Sequence, residues 1–304
     1  MTTYRSNGKL LLTAEYVVLD GAKALALPTK YGQSLTVEPN DKSQLVWKSI
    51  DHKGDVWFQA KFSREKITSD FSNPINDIEK RIIQILKAAK ILNSEFLTGE
   101  IGFNITTKLD FPNNFGLGSS STLINNVANW ANVDAYKLLE LTFGGSGYDI
   151  ACAQYNQPII YQNKSEENNR VIKPIEFNPP FKDKLFFVHL NKKQNSREGI
   201  DQYRANKHNV HNAINEINLI TESIFNCSSI SEFETLTYKH EQMISKLINQ
   251  PTIKSTLFLD YSCSIKSLGA WGGDFILATG SINDMNYFKE KGYLTIIPYS
   301  DMIL

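Results

Sequence analysis

Residues 113–123 read Asn-Asn-Phe-Gly-Leu-Gly-Ser-Ser-Ser-Thr-Leu. Gly116 and Gly118 stand directly before Ser119, Ser120 and Ser121, and an apolar, helix-like run follows. The arrangement suits a phosphate. Glycines let backbone N–H groups approach an anion closely, and a helix starting at the serines aims unpaired N–H groups and its positive dipole end at the same point. A serine hydroxyl could also reach a metal ion. The same residues equally describe a Gly-Ser turn with an ordinary serine N-cap.

Other residues offer chemistry on a weaker basis. Lys9 precedes a β run, where its ammonium could reach a phosphate or hydroxyl, or simply stand in solvent. Gly269 to Phe275, GAWGGDF, is a glycine-rich turn that could lie near an anion or only reverse the chain. By position alone, Asp149 caps a helix beginning at Ile150. His208 and His211 are three apart on one helix and lack an acidic or cysteine partner, which favours a solvated face. Asn195, Ser196 and Arg197 open a helix after a strand, as an anion-facing turn or a plain helix start. Trp130 and the run Val56-Trp57-Phe58 read as core.

The elements that must position these groups follow from periodicity. Gly8 to Leu19 reads as two extended segments, and Ala24 to Val37 continues in β-formers. Gln44 to Ile50 and Val56 to Phe62 form a hairpin around Asp51-His52-Lys53-Gly54. Ile78, Ile82, Ile85, Leu86 and Ala89 share one face of a helix within Ile75 to Leu92. A strand over Ile101 to Leu109 leads into the glycine-serine loop, followed by helices over Ser120 to Trp130, Ala135 to Phe143 and YDIACAQY. Pro158 to Gln162 is a strand, Asn163 to Arg170 a surface loop, and Pro179-Pro180 a junction. Beyond it come a strand over Lys184 to Leu190, helices near Ser196 to Phe225 and Ser231 to Ile248, strands at Phe275 to Thr279 and Leu294 to Pro298, and a helix near Asn283 to Lys291. Strands and segregated helices in this mixture predict two α+β domains, with boundaries 1–180 and 181–304.

The chain has 304 residues, 41% hydrophobic and 21% charged, with formal net charge zero. No basic excess points to nucleic acid or an anionic membrane, and clusters such as Lys192-Lys193 read as solvated. Cys152, Cys227 and Cys263 form neither a metal spacing nor a disulfide framework. With no signal-like N-terminus or apolar span, the expectation is a cytoplasmic protein. No GxxxxGK[ST] P-loop, complete GxGxxG, HRD or DFG string is present.

Three segments, taken together, resemble the GHMP kinase superfamily. GKLLLTAEYVVLDG, from Gly8, is similar to its first motif, PGKxxLxGEHxVxxG. FPNNFGLGSSSTL, from Phe111, is similar to the ATP phosphate loop, PxxxGLGSSAA. KSLGAWGGDF, from Lys266, is similar to the third, KxSGAGGGD. Their order and separation match, so the resemblance spans nearly the whole chain. It is closest to the mevalonate and phosphomevalonate kinase-like branch, and GGSGYDIA resembles the hallmark of a subfamily named for its GYDIA string.

The resemblance implies an N-terminal α+β domain with a left-handed βαβ unit and a ferredoxin-like C-terminal domain, with ATP and acceptor in the cleft between them. It implies ATP-dependent phosphoryl transfer to a hydroxyl or phosphate of a small mevalonate- or phosphomevalonate-like metabolite. Ser146-Gly147-Tyr148-Asp149 matches part of the branch's PSGxD string, which makes Asp149 the general base. Lys9 matches the lysine that neutralises transferring charge. Gly116, Leu117, Gly118, Ser119, Ser120, Ser121, Gly269, Gly272 and Gly273 would hold the nucleotide. Ser119 or Ser120 with Glu140 would hold Mg2+, and Glu140 lies somewhat closer to Asp149 than the family's glutamate does. The implied partner is a small-molecule acceptor, with neither nucleic acid nor membrane, and a homodimer is left open.

Departures qualify the match. Asn7 replaces the first motif's proline, Ala14 and Tyr16 stand where Gly and His are usual, and Trp271 interrupts the third motif. The stretch between GLGSS and GYDIA is short. Two other readings follow: an enzyme like diphosphomevalonate decarboxylase, or a nucleotide-binding regulatory protein without turnover.

Overall fold

A computed structural model describes residues 1–68, 74–164, 169–192, 196–206 and 210–304. Strand β1 (Thr2–Leu11) is followed by a 3-10 turn (Val17–Asp20), β2 (Ala24–Asn40), β3 (Leu45–Ile50) and β4 (Val56–Phe62). Next come α1 (Arg64–Thr68), α2 (Asp77–Leu92), β5 (Gly102–Leu109), α3 (Ser119–Ala131), α4 (Ala135–Glu140) and α5 (Tyr148–Gln154). Strands β6 (Ile159–Lys164), β7 (Asn169–Pro174) and β8 (Leu185–His189) precede α6 (Ser196–Asn206), α7 (His211–Asn226), α8 (Ile230–Ile248) and α9 (Ile253–Leu257). The chain ends with β9 (Ile265–Ser267), β10 (Phe275–Thr279), α10 (Asn286–Glu290), β11 (Ile296–Pro298) and α11 (Tyr299–Met302).

These elements form two compact units that interleave along the sequence. One holds Met1–Gly8, Tyr31–Asn113 and Gly118–Gln154; the other holds Lys9–Lys30, Asn114–Leu117 and Tyr155–Leu304.

In the first unit the strands run β4-β3-β5-β2. The β3–β4 hairpin is antiparallel, β3 and β5 are parallel with Trp47 opposite Ile105, and β5 returns antiparallel to residues 33–40 of β2. Period-two alternation puts Leu35, Val37, Leu45, Trp47 and Ile105 on one apolar face. Helix α2 covers it with Ile82, Ile83, Ile85, Leu86 and Ala89, and α3 with Ile124, Val127, Ala128 and Ala131. Each of the Ile, Leu and Val side chains contributes about 1.5–3 kcal/mol on leaving water. Asn76 caps α2 by accepting the Glu79 N–H at 2.9 Å.

In the second unit residues 24–26 of β2 pair with β6, and β6 with β7. A separate four-stranded antiparallel sheet has the order β11-β8-β10-β9. With the helices after β8 and α10 before β11, this is the βαββαβ arrangement of a ferredoxin-like domain. Phe186, Val188, Phe258, Ile276, Ala278 and Phe288 are among its core residues.

Several segments differ from the sequence expectation. Tyr16 to Leu19 is no strand: Ala14 and Tyr16 take positive φ, the chain turns, and Gly21 closes the short 3-10 helix in the left-handed region. β-Branched residues alone did not reveal that break. Both ends of the expected surface loop at 163–170 belong to strands, with Asn163 opposite Arg170 and Lys164 opposite Asn169; residues 165–168 lie outside the described ones. The long helix expected from Ser196 is two helices, and His208, Asn195 and Lys193 lie outside the described residues. Val56 and Trp57 are exposed, and only Phe58 of that run is buried, since β4 is an edge strand with one face toward solvent. Among the described residues no helix is long and apolar enough to cross a membrane.

Candidate nucleotide site

The glycine-serine loop passes from the second unit to the first between Leu117 and Gly118. Each half has its own supports.

In the second unit, successive residues of 114–117 are fixed by different neighbours. The Asn114 carbonyl is 3.0 Å from His189 Nε2 at the end of β8. The Phe115 ring packs against His189 and, edge-on, against Phe275 of β10. The Gly116 carbonyl accepts from Lys9 Nζ at 2.9 Å, and the Leu117 carbonyl accepts from the Lys9 N–H at 3.0 Å. Carbonyls are thus occupied by the protein, the polarity an anion-facing loop requires. Gly116 has φ +67, and a Cβ there would overlap the Asp274 carboxyl group. The second motif therefore rests on the last residue of the third. Asp274 is in turn fixed by its own backbone, which accepts from Leu190 N–H and donates to the Lys192 carbonyl.

The turn at 268–274 joins β9 to β10. Gly269, Gly272 and, less usually, Trp271 and Asp274 have positive φ. For Trp271 this costs about 1–3 kcal/mol. Its ring is buried, so it does not stand open to solvent, and its Nε1–H has no acceptor among the described residues.

In the first unit, Gly118 precedes α3 at φ +86, and its carbonyl accepts from Thr122 N–H and from the Ser121 and Thr122 hydroxyls. Ser121 is thereby committed to the helix start. The Ser119 and Ser120 hydroxyls have no protein partner among the described residues, and the N–H groups of Ser119, Ser120 and Ser121 donate to no backbone carbonyl there. These are the orphan donors of a helix N-terminus. Glu140 is exposed at the end of α4.

Asp149 lies half-buried in the first turn of α5. The helix starts at Tyr148, two residues before the expected Ile150, so Asp149 is not its cap; the Gly147 carbonyl accepts the Ala151 N–H. A polar chain, buried from Asn125 onward, holds α5 to α3: Gln154 Nε2 donates to Asn125, Asn125 donates to Ser6 Oγ, and Ser6 donates to Asn126. Asn126 and Thr122 then bond Gln33. These side chains escaped sequence reading because polar residues on an apolar helix look solvent-facing until the partners are known. Their clustering at i and i+1 within the apolar run Leu123 to Ala131 was the available signal.

The structure thus gathers the predicted residues into two sets. Lys9, Gly116, Leu117 and the turn bearing Gly269, Gly272 and Gly273 share the second unit; Gly118 to Ser121, Glu140 and Asp149 share the first.

Sequence reasoning also missed a charged cluster beneath the first motif. Lys266 of β9 pairs with Glu15 and with Glu241 of α8, and all three are buried. Burial pushes the Glu15 carboxyl up to about 7, against the pull of Lys266. His240 is held well below the ordinary imidazole range, by burial first and the Lys266 charge second. Burial also raises the Tyr16 phenol, with Glu15 adding to the effect.

The chain has the fold of small-molecule kinases of the superfamily its motifs resemble. It superposes on the Methanococcus jannaschii mevalonate kinase with a TM-score of 0.72 at 18% identity, covering 97% of this chain and 96% of that one. For the Streptococcus pneumoniae phosphomevalonate kinase in complex with phosphomevalonate and AMPPNP the TM-score is 0.69 at 16% identity, covering 97% and 99%. For the Lactococcus lactis galactokinase complexed with galactose it is 0.67 at 12% identity, covering 95% and 87%. No protein-family model and no curated protein matches the chain by sequence.

Proposed function

We propose that this protein transfers the γ-phosphoryl group of ATP to a hydroxyl or phosphate of a small metabolite, with mevalonate- or phosphomevalonate-like acceptors as the leading class. The observation that carries the reading is the loop at 114–121. The carbonyls of Asn114, Gly116, Leu117 and Gly118 are bound by protein donors, while the N–H groups and two hydroxyls at the start of α3 are left for a ligand. The solved kinases that share the fold add support, one of them in complex with AMPPNP and phosphomevalonate. Residues 1–180 would form the ATP-binding domain and 181–304 the C-terminal domain.

In this reading Gly116 to Ser121 hold the triphosphate through backbone N–H groups, and Gly269, Gly272 and Gly273 let a second stretch of backbone come near. Asp149 accepts or orients the acceptor's proton. Lys9 neutralises charge on the transferring group while its ammonium steadies the Gly116 carbonyl. The free hydroxyls of Ser119 and Ser120 fit a hard cation, whereas among the described residues no group of three His, Cys, Asp or Glu forms a cage. That is the donor set expected where nucleotide phosphates supply most ligands, with Glu140 as the carboxylate. Bound Mg2+ would supply charge neutralisation on the phosphates. Phosphoryl transfer is mostly positioning and electrostatics, so these roles suffice without a covalent step.

An ADP-release screen over mevalonate, phosphomevalonate, homoserine and simple sugars tests the proposal; failure of every acceptor together with no ATP binding overturns it. Lys9→Met is expected to lower kcat by roughly 100-fold and to raise the KM for ATP, because the Gly116 carbonyl loses its donor. Steady-state kinetics at varied ATP check both effects. An unchanged KM would separate Lys9 from the loop.

A further inference from the structure

The cluster under the first motif does more than fill space. The Glu15 carboxylate touches Lys266 Nζ through Oε1. Its Oε2 has no hydrogen-bond partner among the described residues and lies 3.4 Å from His240 Nε2. That nitrogen already accepts the Ala14 N–H at 2.8 Å, so it is the lone-pair side of a neutral ring. Two acceptors therefore face one another with no hydrogen between them unless Glu15 carries a proton. Glu241 is placed differently. Its Oε1 accepts from Ser267 N–H at 3.0 Å and from Lys266 Nζ at 3.3 Å, and its Oε2 accepts from Ser267 Oγ at 2.9 Å. Burial pushes the Glu241 carboxyl up as well, but three donors favour its charged form and oppose that push. One ammonium thus serves two carboxyls, and the carboxyl with a bare oxygen is the one that gains by holding the proton.

The geometry points to Glu15 and Lys266 as positioning residues, a buried brace that holds the first-motif turn at 14–16 against β9, the strand leading into the glycine turn, and that is set by one proton on Glu15. The turn it holds is strained. Ala14 and Tyr16 have φ 66 and 65, and such backbone persists only where its surroundings over-determine it. The Ala14 N–H is anchored on His240, and Lys266 Nζ also donates to the Ser267 carbonyl at 2.8 Å. Losing the Glu15 proton sets its Oε2 against the anchoring imidazole and loosens the turn at one end of the brace. At the other end the glycine turn carries Asp274, on which Gly116 rests. The titratable groups facing Glu15 are Lys266 from β9, His240 and Glu241 from α8, and Tyr16 from its own turn.

The direction of the pH effect follows. Glu15 is raised from 4.5 to about 7 in the folded protein. Its proton therefore stabilises the fold fully below the unfolded value, and that stabilisation is lost as pH rises toward 7. His240 is depressed, so its contribution is present above its ordinary value and lost in acid, which is opposite in sign to that of Glu15.

Glu15→Gln removes the carboxylate charge as protonation does, and its amide oxygen can still accept from Lys266. Denaturant unfolding of wild type and Glu15→Gln at pH 5 and pH 8 is the test. The folding constant of the variant relative to wild type is expected to rise on the order of 100-fold between the two pH values. Glu241→Gln is expected to show a smaller rise, because three donors oppose the burial that raises Glu241. Parallel pH profiles for wild type and Glu15→Gln, or a rise confined to Glu241→Gln, overturn the proposal. Should Glu15→Gln not fold, wild type carrying 13C at its glutamate carboxyls decides: a buried carboxyl titrating near neutrality and surviving in Glu241→Gln supports the brace, and none overturns it. A second readout rests on the kinase reading: Mg·ATP affinity of wild type should fall several-fold from pH 6 to pH 8, while that of Glu15→Gln holds. Absence of Mg·ATP binding in both proteins counts against the kinase reading, and the unfolding data still judge the brace.

Discussion

Asp149→Asn is expected to reduce phosphate transfer by about 1,000-fold, within the span that one general base contributes, while leaving Mg·ATP affinity within a factor of two or so of wild type. The asparagine has the size of the native side chain and lies in the first turn of α5, so the helix and its buried residues Ile150, Ala151, Cys152 and Ala153 stay in place. The tie from Gln154 to Asn125 is untouched as well. What changes is the ability to take a proton. An amide can still orient a hydroxyl by hydrogen bonding, so a residual rate should persist where positioning contributes. Single-turnover measurements with the acceptor found by the ADP-release screen, together with calorimetric titration of Mg·ATP, separate the two quantities. Unchanged turnover would refute Asp149 as the base. Equal loss of turnover and nucleotide affinity would instead make it a structural residue of the α3–α5 contact.

Gly116→Ala should be nearly as severe and for a different reason. Two costs arise at once. Non-glycine residues pay about 1–2 kcal/mol for the left-handed region, and Gly116 sits there at φ +67. The new methyl also enters the Asp274 carboxyl group, whose backbone is bonded to Leu190 and Lys192, so either the carboxyl must rotate away or the loop must shift. A shifted loop draws the Gly116 and Leu117 carbonyls off Lys9. Mg·ATP affinity is expected to fall by at least about 30-fold, near 2 kcal/mol. Repeating the substitution in an Asp274→Gly background removes the obstruction and leaves the backbone cost, so part of the affinity should return. Binding measured on the single and double variants checks this. No recovery would show that conformational strain alone, rather than contact between the second and third motifs, decides the loop's shape.

The cluster around Glu15 adds a different kind of constraint. Breaking a buried charge network by removing one member usually leaves an uncompensated charge. Here two carboxyls share one ammonium, so neutralising Glu15 is expected to help more above neutral pH than neutralising Glu241, which keeps three donors.

Much of the architecture was legible in the residues. Alternation marked β5, and the 3.6-residue period marked α2, because burial on one face leaves a regular imprint on composition. Gly116 and Gly118 before three serines announced a helix N-terminus with open donors, and α3 begins at Ser119. The α+β class and the ferredoxin-like second sheet also agree with the sequence reading. Less legible were backbone reversals without glycine. Ala14 and Tyr16 take positive φ inside a run of β-formers, and local propensity carries no sign of an angle imposed by Glu15 and His240, the latter more than 200 residues away in the chain.

What the sequence determined by itself, then, was the set of groups available: a glycine-serine loop before a helix, a lysine, an aspartate after a glycine turn, and the order in which they occur. Local rules suffice for that, since glycine freedom, helix capping and periodicity act over a few residues. Only tertiary structure decided which partners those groups meet. It put Asp274 under Gly116, turned the loop carbonyls onto Lys9 and His189, committed Ser121 while leaving Ser119 and Ser120 without protein partners, and sank Glu15 beside Lys266. Contacts of that kind join residues far apart in the chain. Their energies come from burial and from shared donors, and neither exists until the fold has formed.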